Sequence, residues 1–147
     1  MQPQTEHAFQ INRRDLADCA WRAQPSAALA PMQVRFALQN FALSANNITY
    51  ADLGESFRYW QFFPTQPGFG QLPIWGFAEV VQSEHPDFAV GQRAYGYWPL
   101  ATHAVLSPAA TGTQSFVDTA AHRADLAKVY QMYFRWQTPA NAITEGR

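Results

Sequence analysis

One cysteine, Cys19, stands in 147 residues. That excludes an intrachain disulfide and a cysteine-based zinc cluster, and it fits a reducing compartment. No apolar run approaches the ~20 residues that a membrane-spanning helix needs. The opening Met1–Glu6 is polar and lacks the apolar centre of a secretion signal. Basic blocks are absent too. Ten Lys and Arg against eleven Asp and Glu leave a formal charge of −1, which speaks against nucleic acid as a partner. No glycine-rich loop of the G-x-G-x-x-G kind cradles a phosphate, and no serine sits in a nucleophile elbow, so hydrolase chemistry has little support. His7, His85, His103 and His122 are scattered, without the spacing of metal ligands. These absences leave a soluble, cytoplasmic protein with no membrane partner as the expectation, and the length is that of one domain.

What the chain has in quantity is aromatic side chains: five Trp, six Tyr and eleven Phe, 15% of the residues, within a hydrophobic fraction of 48%. That is enough to build a core. The aromatics crowd between Phe57 and Trp98. They either fill a thin β core or line a cleft or a surface meant for another domain.

Periodicity places the elements. Phe9–Arg14 reads as a short strand; Asp15–Trp21 is too mixed to assign. Val34, Phe36 and Leu38 alternate with polar positions, the period-two pattern of a strand with one buried face, and an offset near Asn40 reads as a bulge. Asn46-Asn47 is a turn or helix cap, Ile48–Gly54 a helical turn stopped by Gly54, and Phe57–Gly70 a long irregular loop. Ile74–Gln82, Gly91–Tyr97 and His103–Leu106 read as strands. Thr111–Thr119 reads as a polar loop. Leu126, Val129, Tyr130, Tyr133 and Phe134 then recur at spacings of three and four, which predicts an amphipathic helix over about Arg123–Trp136. The expected fold is mainly β: an irregular, partly open barrel with a C-terminal amphipathic helix. Residues 1–30 would supply a strand and loop joining the barrel, 31–110 the barrel, and 111–147 the loop and helix.

Three blocks in order carry a resemblance: Asn46-Asn47-Ile48-Thr49-Tyr50-Ala51-Asp52-Leu53-Gly54, then Leu72-Pro73-Ile74-Trp75-Gly76-Phe77-Ala78-Glu79-Val80-Val81, then Val90-Gly91-Gln92-Arg93-Ala94-Tyr95-Gly96. Over about half the chain they resemble the N-terminal, GroES-like domain of medium-chain dehydrogenase/reductases, and within that superfamily the DUF2855 family. The last block looks like the V-G-D-R-V-x-G of these enzymes. The resemblance implies a β-barrel whose cleft faces a nucleotide-binding domain. It also implies NADP(H) for a complete relative; this chain alone carries no cofactor site.

Where zinc-dependent members place a Cys, Asn47 stands here, and Trp75-Gly76 stands where they place His-Glu. The chain is therefore similar to the zinc-independent, quinone-oxidoreductase-like branch, and no metal is expected. Tyr50 stands where many relatives have Asp.

The implied function is that of the substrate-side domain of an NAD(P)H oxidoreductase-like protein, a fragment inactive without its nucleotide-binding half. Asn47 and Tyr50 are its catalytic candidates, the first as carbonyl donor, the second as proton donor or cleft hydroxyl. The alternatives for them are a turn amide and a core aromatic. Trp60, Phe63 and Trp75, with Phe62 beside them, are candidate walls for a small apolar carbonyl or quinone-like substrate, or plain core. Gly54, Gly76, Gly91 and Gly96 are assigned structural roles. Asp52 reads as a surface acid, Glu79 as a buried acid or an outward strand residue, and Cys19 as a small buried residue. Two other classes stay open: an interaction module that self-associates through its aromatic surface, and a small apolar-ligand binding domain. The partner would be a nucleotide-binding domain or a second copy of the chain.

Overall fold

The computed structural model describes residues 5–136. The hairpin β1 (Glu6–Asn12) and β2 (Asp15–Gln24) comes first, then β3 (Val34–Phe41) and the eight-residue helix α1 (Ala45–Asp52). A 3-10 turn at Tyr59–Gln61 leads to β4 (Phe69–Gln71), β5 (Pro73–Ser83), β6 (Arg93–Pro99), β7 (His103–Leu106), β8 (Pro108–Ala110) and β9 (Ser115–Asp118). Two more 3-10 turns, Ala121–Arg123 and Lys128–Tyr130, precede β10 (Met132–Trp136). Seven strands form one antiparallel sheet in the order β7-β3-β5-β6-β10-β9-β8, curled into a nearly closed barrel. The order β2-β1-β4 makes a second, small sheet. It is tied to the barrel where Phe9 N–H donates to the Leu100 carbonyl (2.8 Å) and Thr102 N–H to that of His7 (2.7 Å). The mainly β expectation holds.

Alternation fixes which face is inside. On β5, Ile74, Gly76, Ala78 and Val80 are buried, while Trp75, Phe77 and Glu79 lie on the outer side. On β6, Ala94, Gly96 and Trp98 point in. The two bulges of β3, between Arg35 and Phe36 and between Leu38 and Asn40, include the offset read from sequence. The barrel is filled by packed rings: Phe36 tilted against Trp98 (centroids 5.0 Å), Phe116 stacked on Tyr133 (5.2 Å) and Phe88 edge-on to Phe116 (5.0 Å). Trp98 is wholly buried; a ring of that size removes about 150–250 Å² from water, worth about 4–6 kcal/mol before entropy.

Three expectations fail, for identifiable reasons. The C-terminal amphipathic helix is instead a 3-10 turn followed by β10, which pairs with β6 and β9. The stripe at spacings of three and four is not one face: Leu126 and Tyr133 are buried, whereas Val129 and Phe134 are exposed. Met132–Trp136 is a run of strand-favouring rings, and long-range pairing overrides a local helical pattern. The loop Thr111–Thr119 contains β9, so residues 111–136 complete the sheet. Cys19 lies exposed on β2 rather than buried; the unassigned stretch Asp15–Trp21 belongs to that strand, whose exposed faces hide the alternation by which strands are read.

Candidate functional site

Sequence places α1 locally. Ser44 caps it by accepting from Asn46 N–H (3.3 Å), and Asn47 at the third helical position closes the capping box by accepting from Ser44 N–H (2.7 Å). The buried Asn47 amide also donates to the Pro73 carbonyl (3.1 Å), tying α1 to the start of β5. Both ends of the amide are engaged, so Asn47 acts as a cap and a brace. Gly54 follows the helix end. A Cβ there would overlap the Trp60 indole, as would one at Gly70. Trp60 is thus wedged between two glycines in the main core.

Tyr50, one turn after Asn47, faces outward over β5. Its hydroxyl accepts from Trp75 Nε1–H (3.2 Å). Tyr59 and Tyr130 stand beside it, their hydroxyls 3.3 Å apart. Tyr97 of β6 lies beneath, 4.8 Å from Tyr130 and 5.2 Å from Trp75 by ring centroid. Phe62, Phe63 and Leu126 close the inner side. Four phenols and one indole, contributed by α1, two 3-10 turns and two strands, therefore converge on the outer face of β5 and β6. Of the sequence candidates, Tyr50, Phe63 and Trp75 are brought together here. Asn47 is buried in the first turn of α1, bonded to Ser44 and Pro73, and Trp60 lies in the main core. Tyr59, Tyr97 and Tyr130 were missed: a single tyrosine carries no spacing signal, and Tyr130 was assigned to the helix stripe.

Burial pushes the Tyr50 phenol above its ordinary value, against the lowering by the Trp75 hydrogen bond. The hydrogen bond with Tyr59, and then burial, raise Tyr130. Tyr97 is raised furthest, first by burial and then by the neighbouring phenols, and its hydroxyl is buried with no hydrogen-bond partner. All three stay protonated at neutral pH, so the cluster can donate hydrogen bonds and stack on a planar group, but none of the three is a ready base.

Beneath the cluster is a polar knot. Arg123 is fully buried; it pairs with Asp118 (3.2 Å) and donates to the Tyr133 hydroxyl (2.7 Å) and the Tyr130 carbonyl (2.8 Å). Its guanidinium lies 5.4 Å and 5.3 Å from the rings of Phe62 and Phe63. The knot fixes the 3-10 turn that carries Tyr130.

The remaining candidates sit apart. Glu79 points out of the sheet and accepts from Gln39 Nε2 (2.8 Å), opposite Arg93 on β6, and Asp52 is exposed. Gly76 is closely approached by Asn40 O and Phe41 Cβ, Gly96 by the Tyr133 ring, and Gly91 has φ of 96° in the turn before β6. A concavity of about 710 Å³ opens at the other end of β6, between Val90–Arg93, Thr113, Arg135 and Trp136.

Every strand pair among the described residues is antiparallel. The N-terminus of α1 is occupied by its own capping box, so no strand–glycine loop–helix cradle is formed among the described residues. Nor do three His, Cys, Asp or Glu side chains converge there. No helix among them is long and apolar enough to cross a membrane.

A model of the family described as "Protein of unknown function (DUF2855)" matches residues 41–146, more than two-thirds of the chain. The chain belongs to this family. No curated protein matches it. The DUF2855 segment holds α1, the whole aromatic cluster and the Arg123 knot. β1, β2 and all of β3 but Phe41 precede it.

Proposed function

We propose that the aromatic cluster is a binding face for a small planar carbonyl or quinone-like molecule, and that the chain is the substrate-side domain of a zinc-independent, NAD(P)H-dependent oxidoreductase-like protein. In this reading the barrel is of the GroES-like kind seen in medium-chain dehydrogenase/reductases, and a separate nucleotide-binding domain supplies the cofactor. One observation carries the proposal: Tyr50, Tyr59, Trp75 and Tyr130 are all half-buried on one outer face, with two phenol hydroxyls linked to each other and a third held by an indole N–H. A planar ligand would stack on the rings and accept a hydrogen bond from a neutral phenol, which orients its carbonyl without transferring a proton. Trp75 and Tyr50 take the roles that most need testing; Asn47 contributes by holding α1 against β5.

Titration with a naphthoquinone, read by tryptophan fluorescence, is expected to show saturable quenching. Trp75→Ala should abolish it and Tyr50→Phe should weaken it several-fold, while NADPH alone gives no binding. The absence of saturable quenching, or quenching indifferent to Trp75→Ala, rejects the ligand reading.

A specific observation favours a second reading, that of an interaction module. On β10, Met132, Phe134 and Trp136 are 40%, 47% and 49% exposed. Through Phe134 opposite Tyr95, and Tyr95 opposite Phe77, they continue the aromatic face across three strands. A second domain or copy covering that face would bury an apolar surface that monomers seldom leave open. Phe134→Glu should then keep the fold and lose the association, whereas Tyr133→Glu, on the inward side of the same strand, should unfold the domain.

A further inference from the structure

The hairpin outside the DUF2855 segment carries a second surface. β2 is the outer strand of the small sheet, and from Ala17 to Ala23 it is exposed on both faces. Its backbone parity follows from β1. Phe9 N–H and the His7 carbonyl turn away from β2, toward Leu100 and Thr102. The even residues of β1 therefore make the bonds to β2, through the pairs Gln10–Ala20 and Ala8–Arg22. Among the described residues, Cys19, Trp21 and Ala23 are left with their N–H and C=O groups facing an edge that no other strand covers, a ready template for another strand. Native edges are usually blunted by prolines or several charges. From Leu16 to Gln24 this one has no proline and two charges, Asp18 and Arg22, of opposite sign.

We propose that this edge pairs with the same edge of a second copy, antiparallel about a two-fold axis at Ala20, to give a continuous six-stranded sheet. Self-complementarity selects the occupant and the register. With Ala20 opposite its own copy, the outward-facing Cys19 and Trp21 of each chain oppose Trp21 and Cys19 of the other and exchange ladder hydrogen bonds. Asp18 falls opposite Arg22 in both halves. Neither side chain has an ion partner among the described residues: Asp18 accepts from Asn12 (3.1 Å) and Arg22 lies over the Phe69 ring (5.1 Å). Opposite charges directly across a ladder stabilise it, and like charges there oppose it. The inference does not rest on the ligand reading, and it uses a surface distinct from β10.

Sedimentation of the full chain should show a concentration-dependent dimer. Asp18→Arg or Arg22→Asp alone should weaken it at least tenfold, and the double swap Asp18→Arg/Arg22→Asp should restore it. Ala23→Pro removes only an outward N–H, so it should also weaken the dimer while circular dichroism and melting temperature stay near wild type. Cys19 and its copy would lie on one face as diagonal neighbours, about 7–8 Å apart, so a short bismaleimide should link them in the wild type and the double swap but not in the single variants. A monomer at all concentrations overturns the proposal. So does a dimer that both single swaps leave intact, and one that only Phe134→Glu dissociates places the contact on β10 instead.

Discussion

Gly96→Ala adds one methyl group at the point on β6 where the Tyr133 ring of β10 packs against the backbone. The new Cβ would lie 2.8 Å from Tyr133 Cε1 and nearer still to Cδ1. The ring cannot swing away. It is fully buried, it stacks on Phe116 at 5.2 Å, and its hydroxyl donates to the Tyr97 carbonyl (2.5 Å) while accepting from Arg123 (2.7 Å). Overpacking of this kind costs about 1–3 kcal/mol. Against it stands the entropy that alanine saves in the unfolded chain, about 0.4–1 kcal/mol. The net expectation is a loss of about 1–2 kcal/mol, read in urea as a lower midpoint at unchanged slope. Tyr133→Leu, costly by itself, opens the space that the methyl needs, so the cost of Gly96→Ala should shrink in that background. A wild-type midpoint for Gly96→Ala, or the same cost in both backgrounds, would refute the contact as the cause.

Two further outcomes follow from the same region. Arg123→Met leaves Asp118 buried with only the Ser107 and Ala120 N–H groups as donors; a loss of about 3–5 kcal/mol is expected, and adding Asp118→Asn should cost less than the sum of the two single variants, as a double-mutant cycle in urea will show. Alkali should destabilise the fold through its buried phenols. Burial raises Tyr133 to about 12, against the lowering by Arg123, and raises Tyr97 as well. Both states hold these protons below pH ~10, so the stability is intact there. Above it the unfolded chain ionises and the native one does not, so each tyrosine removes about 1.4 kcal/mol per pH unit, for Tyr133 up to about pH 12. Denaturation midpoints flat from pH 9 to 11 would show that the two hydroxyls are solvated.

Much of the barrel was legible because its strands bury one face. The alternation Val34, Phe36, Leu38 and the block Ile74–Gln82 led to β3 and β5, and the glycines ahead of and within β6 marked a turn and a close approach. β2 was not legible, since a strand exposed on both faces has no reason to alternate. β10 was misread because Leu126, Val129, Tyr130, Tyr133 and Phe134 satisfy a helical spacing by coincidence. Only pairing with β6 and β9, invisible in one sequence, decides between the two. The candidate site divides in the same way. Tyr50 and Trp75 were found through the blocks that carry the family resemblance. Tyr59, Tyr97 and Tyr130 reach them from 3-10 turns and a strand whose approach is set by tertiary packing. Arg123, the best-buried charge among the described residues, entered the sequence reading only as the approximate start of the expected helix.

Site and fold share the same strand, and this governs which variants are informative. Tyr97 presents its ring to the aromatic face, while its own carbonyl holds the Tyr133 hydroxyl inside the barrel. Tyr130 stacks on Tyr97 from outside, and its carbonyl is held by Arg123 from within. A change at Tyr97 or Arg123 therefore moves the binding face and the core together, and lost binding would say nothing about contact with a ligand. Tyr50→Phe removes one hydroxyl and leaves the ring contacts with Tyr59 and Tyr130 in place. Trp75 is half-buried on the outer side of β5, where truncation opens no cavity in the barrel. A binding defect at these two positions, with an unchanged urea midpoint, separates recognition from stability as no variant in the knot below them can.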